Sequence, residues 1–382
     1  MLGTKSEQSP SVHIPKTIQD AVNISELEAL GLSKLSEQIK AYISTGSGYE
    51  YTLARNKHIF SKIFLYPKVL RDVSKIDMTT EILGTKLSMP IGVSPFSFSK
   101  LVNNDGELAV ARQAAKHGVA FTASVSSSYN CCEIGEANGQ GLRFVQYNFL
   151  KNPEYNLNYI KKAESAGYKA IVISVDQATV GCRDTLYRAK FSFQSDFDLG
   201  NLSLILHDIP HITKKSERIK YFDSQKDPGV TWDIIPWLKQ NSKLKIILKG
   251  VQRVDDALKA AELGVDALLV SNHGGRQLDT VPSSIESLRN IRKGLPKDCP
   301  MELYVDGGFK RGSDVFKALA YGAKAVFMGR PMLLSLAAGG EEGVGRALDI
   351  MRNELEITMK LMGCRSVEEI TEDFVRTKKD YT

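Results

Sequence analysis

The segment Ser271-Asn-His-Gly-Gly-Arg-Gln-Leu-Asp279 holds the most reactive combination of side chains in the chain. The ordinary pKa of an imidazole lies close to neutrality, so His273 suits a general base. Arg276 follows after two glycines that permit an unusual turn. A base beside a fixed guanidinium suits proton abstraction from a substrate that carries a carboxylate. A lone loop histidine is more often structural. Here the position directly after an apolar run, beside Gly-Gly-Arg, favours chemistry.

A second group of residues suits an anion. Neither Gly307 nor Gly308 has a Cβ, so the backbone there can approach a ligand closely. Lys310, Arg311 and Gly312 then open a helical pattern, and the N–H groups at a helix start favour negative charge. Gly329-Arg330 adds a guanidinium suited to bidentate phosphate contact. Each glycine pair alone fits a tight turn with surface cations. The two together fit a phosphate site.

The elements that would carry these groups repeat one phrase, an apolar run followed by a loop and a helical pattern. The runs are Met89–Ser94, Val119–Ser124, Leu142–Tyr147, Ala170–Val175, Leu244–Lys249, Ala267–Ser271, Glu302–Val305 and Ala325–Met328. Amphipathic stretches such as Gly106–His117, Pro153–Ala166, Val254–Leu263 and Gly312–Tyr321 lie between them. Strands that alternate with helices and read as continuous apolar runs belong to a parallel sheet buried on both faces. Eight such units predict a closed (β/α)8 barrel, the TIM-barrel class of α/β fold. Gly167, Gly264 and Gly322 stand where three of the helices should end.

A barrel of this kind places its active site at the C-terminal ends of the strands. That rule selects Pro95, Phe96 and Ser97, then Ser124, Gln146 and Asn148, then Ser174 and Asp176. It continues with Lys249, Ser271 and His273, Asp306, Gly307 and Gly308, and Gly329 and Arg330. Polar groups at nearly every strand end describe a site for a large polar ligand. Residues 1–75 fall outside the phrase and read as a polar tail with helices around Ile24–Thr45 and Tyr51–Phe60, a helical extension ahead of a barrel over 76–382. The stretch from about 179 to 230 is far longer than an ordinary βα loop and reads as a solvated, mobile lid.

Composition narrows the function classes. The chain has 382 residues, 50 Lys+Arg against 44 Asp+Glu, and a net charge of +6. A hydrophobic share of 42% with 25% charged residues excludes wholesale disorder and fibrous folds. No basic stripe points to nucleic acid. Five cysteines, with Cys131-Cys132 adjacent and no Cys-x-x-Cys, read as reduced thiols, with no metal assigned. Trp232 and Trp237 read as packing or lid anchors. The first twelve residues lack the apolar run of a signal peptide, and no stretch approaches the roughly 18 apolar residues that span a bilayer. The expected place is the cytoplasm, without a membrane. A peroxisomal address stays open, although the chain ends KKDYT, not in Ser-Lys-Leu.

The Ser271–Asp279 segment closely resembles the signature of the FMN-dependent 2-hydroxy-acid oxidase and dehydrogenase family, which includes glycolate, lactate and mandelate enzymes. The resemblance covers about residues 37–375 and is carried further by Asp77-Met-Thr-Thr, Leu87-Ser-Met-Pro-Ile, Leu248-Lys-Gly, Asp306-Gly-Gly, Asp314-Val-Phe-Lys-Ala-Leu-Ala, Gly329-Arg-Pro and Gly363-Cys-Arg-Ser. With no haem-binding domain ahead of it, the chain looks like the short oxidase branch. The resemblance implies FMN as cofactor. Lys249 would lie beside the flavin, with Pro95, Phe96, Ser97, Ser124, Gln146, Ser174 and Ser271 around its ring. Asp306, Gly307, Gly308, Lys310, Gly329 and Arg330 would hold the phosphate end. His273 would be the base with Asp176 as partner, and Tyr42, Arg183, Arg276 and Asn148 would meet the substrate. The implied reaction takes an (S)-2-hydroxy acid and O2 to a 2-oxo acid and hydrogen peroxide, in a homotetramer.

Departures from the family pattern leave alternatives open. Asn148 stands where the family carries a tyrosine, and Tyr147, displaced by one, should face the other way. Phe96-Ser97 replaces a smaller pair. Ser174 replaces a threonine, Cys182 an arginine, and Lys310 an arginine able to bind a phosphate bidentately. A dehydrogenase with another acceptor, or a flavin-binding barrel with shifted substrate or weak turnover, therefore stands beside the oxidase reading. Prenyl-diphosphate isomerisation, another chemistry run on FMN barrels, is disfavoured by the intact His-Gly-Gly-Arg.

Overall fold

The computed structural model describes residues 12–193, 197–206 and 212–381. Eight parallel strands close into a barrel in chain order. They are β1 (Ile91–Val93), β2 (Ala120–Ala123), β3 (Arg143–Tyr147), β4 (Ala170–Ser174), β5 (Lys245–Lys249), β6 (Ala267–Val270), β7 (Glu302–Asp306) and β8 (Ala325–Met328). Every expected run forms its strand, with ends shifted by no more than about two residues.

The pleat makes the barrel apolar below and polar above. Side chains alternate across a strand, so inward residues recur every second position. Phe144, Val172, Ile247, Leu269, Tyr304 and Phe327 form one buried cluster inside the barrel. A hairpin of Thr80–Ile82 and Thr85–Leu87 adds Ile82 and Leu87 to it. Two residues further along the same faces come Gln146, Ser174, Lys249, Ser271 and Asp306, all buried. Tyr147 does face outward, where its hydroxyl donates to Asn156 Oδ1 at 2.9 Å and its ring stacks on Tyr159.

The helices follow local signals. Gly106–Lys116, Pro153–Ser165, Val254–Glu262 and Gly312–Ala320 occupy the expected stretches. All four lead into a glycine, and Gly118, Gly167, Gly264 and Gly322 take φ of +62°, +74°, +66° and +91°. Cys131–Asn138 and Ser284–Gly294 each begin with a capping box, Asn130 with Glu133 and Ser283 with Glu286. Among the described residues no helix is long and apolar enough to cross a membrane.

The N-terminal segment supplies α1 (Ile24–Ser33), α2 (Glu37–Ser44) and α3 (Tyr51–His58). A short strand, Ile63–Leu65, then pairs antiparallel with Val375–Thr377. α3 is seated on the loop after β6. Asp279 accepts from the N–H groups of Thr52 at 2.8 Å and Tyr51 at 3.3 Å, which caps the helix start. Asn56 and Asn272 exchange two amide hydrogen bonds of 2.8 Å in a buried pair.

The stretch 179–230 is more structured than a solvated lid. Residues 194–196 and 207–211 lie outside the described residues. The rest contains helices Asp184–Arg188, Leu202–Ile205 and Lys215–Gln225. Leu199, Leu202, Ile205, Ile219 and Phe222 are buried. Lys215, Glu217 and Lys220 lie on the exposed face of Lys215–Gln225, while Ile219 and Phe222, three apart, turn inward.

Replacing Asn56 by Ala strands the buried amide of Asn272. The expected loss is about 1–3 kcal/mol of stability, read as a lower midpoint in urea unfolding. An unchanged midpoint would show that the pair does not hold α3.

Candidate active site

The polar ends of the strands open into one cavity of about 530 Å³. Its wall includes Pro95, Phe96, Ser97, Ser124, Gln146, Asn148, Ser174 and Lys249. It also includes Tyr42, Arg183, His273, Arg276, Asp306, Gly307, Gly308, Lys310, Gly329 and Arg330. Asp176 and Ser271 do not reach the wall. They stand behind it, each bonded to a residue that does.

His273 is held in a conformation that few side chains adopt. Its φ is +56°, and Gly274 and Gly275 follow at +64° and +76°. The Ser271 hydroxyl fixes this turn by accepting from the His273 N–H at 3.0 Å and from Lys249 Nζ at 3.0 Å. His273 Nδ1 lies 3.1 Å from both oxygens of Asp176. Gly250 makes room for that carboxylate, since a Cβ there would fall 2.5 Å from Asp176 Cγ. Burial works to raise the Asp176 carboxyl, but the charge and hydrogen bond of His273, then Lys249, bring it below its ordinary value. Asp176 is therefore ionised and accepts only, so Nδ1 carries the hydrogen and Nε2 keeps its lone pair. Burial pushes the His273 pKa down, opposed by Asp176 and aided by Lys249. The ring is neutral, a base with its acceptor nitrogen free, at neutral pH.

Hydroxyls and amides form a chain around the cavity floor. Ser97 Oγ and Ser124 Oγ lie 3.2 Å apart, and Ser124 donates to Gln146 Oε1 at 3.2 Å. Gln146 Nε2 donates to Ser174 Oγ at 3.1 Å and to Asn148 Oδ1 at 3.0 Å. Asn148 Nδ2 donates in turn to Gln177 Oε1 at 3.3 Å. Asn148, expected to meet the substrate, thus directs both amide atoms at protein partners. Opposite, Lys249 Nζ lies 3.5 Å from Asp306 Oδ2, which also accepts from Ser94 at 3.0 Å. Asp306 Oδ1 is buried without a hydrogen-bond partner.

Three guanidiniums reach the cavity, and among the described residues none is paired with a carboxylate. Arg276 Nη1 donates to the carbonyls of Tyr42, Ile43 and Thr45 at 2.8, 3.2 and 3.2 Å. Arg330 donates to Ile43, Thr45 and Gly274 carbonyls at 3.1, 3.4 and 2.8 Å. Arg183 Nε donates to the Arg276 carbonyl at 3.2 Å. Burial, then the charge of Arg276, brings Arg183 down to about 10 and Arg330 down to about 9. All three stay charged at neutral pH. Tyr42 lies beside Arg276, whose guanidinium carbon is 5.2 Å from the ring centre, and burial raises its phenol despite Arg276 and Arg183. Its hydroxyl remains protonated.

The phosphate-like end is arranged differently from the sequence expectation. The N–H groups of Lys310 and Arg311 donate to Asp314, and that of Gly312 to Glu354 Oε2 at 2.8 Å. That helix start is therefore satisfied by the protein's own carboxylates. Arg311 turns outward to Glu354 at 3.1 Å. Gly308 is required by α3, since a Cβ there would fall 2.1 Å from the Asn56 carbonyl oxygen. Lys310 is ion-paired with Glu28 of α1. Lys57 of α3 also lines the cavity; burial, then the charges of Lys310 and Arg330, lowers its pKa. Glu28 and Lys57 carry no local motif and were not foreseen. Ser94 was legible, being two residues beyond Gly92 on the inward face of β1.

The comparisons with known proteins fit this geometry. The family model described as FMN-dependent dehydrogenase matches residues 32–377. The chain belongs to that family. It is 39% identical over 365 residues to glycolate oxidase 3 of Arabidopsis thaliana, covering 94% of this chain and 97% of that one. It is 38% identical over 362 residues to L-lactate oxidase of Nostoc sp., covering 94% and 99%. Among solved structures, the flavin-binding domain of baker's yeast flavocytochrome b2 superimposes with a TM-score of 0.85 at 34% identity, covering 96% and 90%. A mandelate oxidase variant with (S)-mandelic acid gives 0.83 at 32%, covering 94% and 98%. FMN is the cofactor. The cavity suits it on its own terms. The unpartnered Asp306 oxygen calls for a hydroxyl donor, and three guanidiniums, one buried and two half-buried, without carboxylates call for anions.

The His273 ring is expected to titrate below about 6.5, the value of a free imidazole. Because the folded ring holds its proton less tightly than the unfolded one, its contribution to stability is lost as pH falls through that value. In Asp176→Asn the midpoint should fall further, because an attracting charge is removed. NMR of the ring in FMN-loaded protein checks both, and a midpoint that rises in Asp176→Asn contradicts the pairing.

Proposed function

We propose that the protein oxidises an (S)-2-hydroxy acid to the 2-oxo acid, with O2 as acceptor and hydrogen peroxide as product. The observation that carries this reading is the pairing of a neutral, Asp176-oriented His273 with unpaired cavity guanidiniums. The oxidase names of the glycolate and lactate relatives support O2 as the acceptor.

In this reading Arg183, Arg276 and the Tyr42 hydroxyl hold the substrate carboxylate. His273 Nε2 takes the proton that the substrate loses. Asp176 fixes the tautomer and stabilises the imidazolium that forms. Ser124, Gln146, Ser174 and Lys249 hold the cofactor ring at the strand ends, beside Pro95, Phe96 and Ser97. Ser271 acts through Lys249, holding its Nζ in place. Asp306, Gly307, Gly308, Lys310, Gly329 and Arg330 receive its chain and phosphate. Asn148 orients Gln146. FMN, when bound, accepts the two electrons that leave the substrate. α1 to α3 close the cavity mouth through Tyr42, Glu28 and Lys57, and Val180, Leu186, Phe191 and Phe193 line it from the other side. The homotetramer implied by the family resemblance belongs to the same proposal, and its mass in solution decides it.

His273→Ala is expected to keep FMN and lower flavin reduction by a 2-hydroxy acid by about 10²–10⁴-fold, the usual share of a general base. Rapid-mixing absorbance under anaerobic conditions reads it. Reduction at the wild-type rate would show that His273 is not the base.

A further inference from the structure

In the reading above, the cofactor phosphate lies at Gly307, Gly308, Lys310, Gly329 and Arg330. Many of the donors there are already engaged. The N–H groups at the start of the Gly312–Ala320 helix are spent on Asp314 and Glu354. Lys310 is shared with Glu28, and Arg311 is paired with Glu354. Arg330 gives Nε and Nη2 to the carbonyls of Ile43, Thr45 and Gly274, which leaves Nη1. A phosphate has three oxygens to satisfy.

Lys57 stands beside this end and is uncommitted. It follows Asn56 in α3, whose backbone is packed on Gly308, where a Cβ would fall 2.1 Å from the Asn56 carbonyl oxygen. Lys57 lines the cavity together with Glu28, Lys310 and Arg330. Among the described residues its ammonium has no hydrogen bond and no ion pair. Of the two carboxylates near it, Glu28 holds Lys310, and Glu50 accepts from the Gly46 N–H at 2.9 Å. Burial, then the positive charges of Lys310 and Arg330, lowers the Lys57 pKa, so the three cations lie within electrostatic reach of one another. Against the single lining carboxylate, Glu28, they leave an excess of two positive charges on this part of the wall. A phosphate monoester carries about two negative charges at neutral pH.

We propose that Lys57 is a ligand of the cofactor phosphate, joining α3 to Lys310 and Arg330 around that anion. This rests on the placement of the phosphate given above. Lys57 is exposed at the cavity rim, so its four-carbon stem can bring the ammonium to the anion without movement of the helix. Glu28 holds Lys310 in place and limits the excess charge to what one phosphate matches. The phosphate is then gripped from two sides, by the loops after β7 and β8 and by the N-terminal helices.

The test is flavin binding by the full-length protein, stripped of FMN and titrated back with FMN or with riboflavin, which lacks the phosphate. Quenching of flavin fluorescence reads both. Lys57→Ala should weaken FMN binding by about ten-fold at low salt, the lower end for a hydrogen bond to a charged group, and leave riboflavin binding unchanged. The loss should shrink at high salt, and Lys57→Arg should restore most of the affinity. Lys62→Ala, at an exposed lysine outside the cavity, should bind FMN as the wild type does. Equal losses on FMN and riboflavin would overturn the proposal, as would no loss on FMN or an equal loss in Lys62→Ala. If the stripped protein takes up no flavin, the rate of FMN release from diluted holoprotein replaces the titration. Faster release from Lys57→Ala is then expected, and a rate equal to the wild type overturns the proposal. Arg330→Gln separates Lys57 from the placement of the phosphate. A loss confined to FMN in Arg330→Gln but absent in Lys57→Ala removes Lys57 alone, whereas variants that never distinguish FMN from riboflavin bring down the placement itself.

Discussion

The carbonyl end of α2 rests on two half-buried guanidiniums. The last carbonyls of a helix have no partner within it, and burying them unpaired is costly. Arg276 and Arg330, from the loops after β6 and β8, supply the donors to Tyr42, Ile43 and Thr45. The same charges suit the negative end of the helix dipole. This contact turns a separate helical extension into the rim of the barrel. It sets Tyr42 over the cavity, and Tyr42 in turn stacks on Phe191 of the covering segment. Two distant parts of the chain thus meet over the site through one helix end.

The charge pattern inside the cavity follows from the same arrangement. Lys249 faces Asp306, Lys310 faces Glu28, and His273 faces Asp176. The first two pairs offset one another, while Asp176 orients a neutral ring. Beside Lys57 there remain Arg183, which is buried, and Arg276 and Arg330, which are half-buried, each bonded to backbone carbonyls instead of carboxylates. A buried charge without a counter-ion is unfavourable. The site is therefore built for two anions, the cofactor phosphate and a substrate carboxylate. The mild +6 of the whole chain gains its meaning there.

Much of this was legible in the sequence. The barrel strands lie buried on both faces and read as unbroken apolar runs, and Gly167, Gly264 and Gly322 end helices where a left-handed residue is needed. The polar residues at the strand ends follow from a period of two, which placed Gln146, Ser174, Lys249 and Asp306 inward and Tyr147 outward. The rest depends on contacts between distant residues. Nothing local in Gly312 announces that Glu354 will cap its N–H, or that Glu28 will take Lys310. The glycine at 308 looked like an anion cradle and is needed for α3. Asn148 looked like a substrate contact, and its amide instead links Gln146 to Gln177. The buried face of Lys215–Gln225 was hidden because its two apolar residues sit among charges.

The most direct test of the account is to mix the yellow, FMN-loaded protein with 2-hydroxy acids in the absence of oxygen and then admit air. The account predicts that at least one (S)-2-hydroxy acid bleaches the flavin, that its 2-oxo acid appears in equal amount, and that air restores the colour with release of hydrogen peroxide. A flavin that keeps its colour with every acid, short and long, would contradict it.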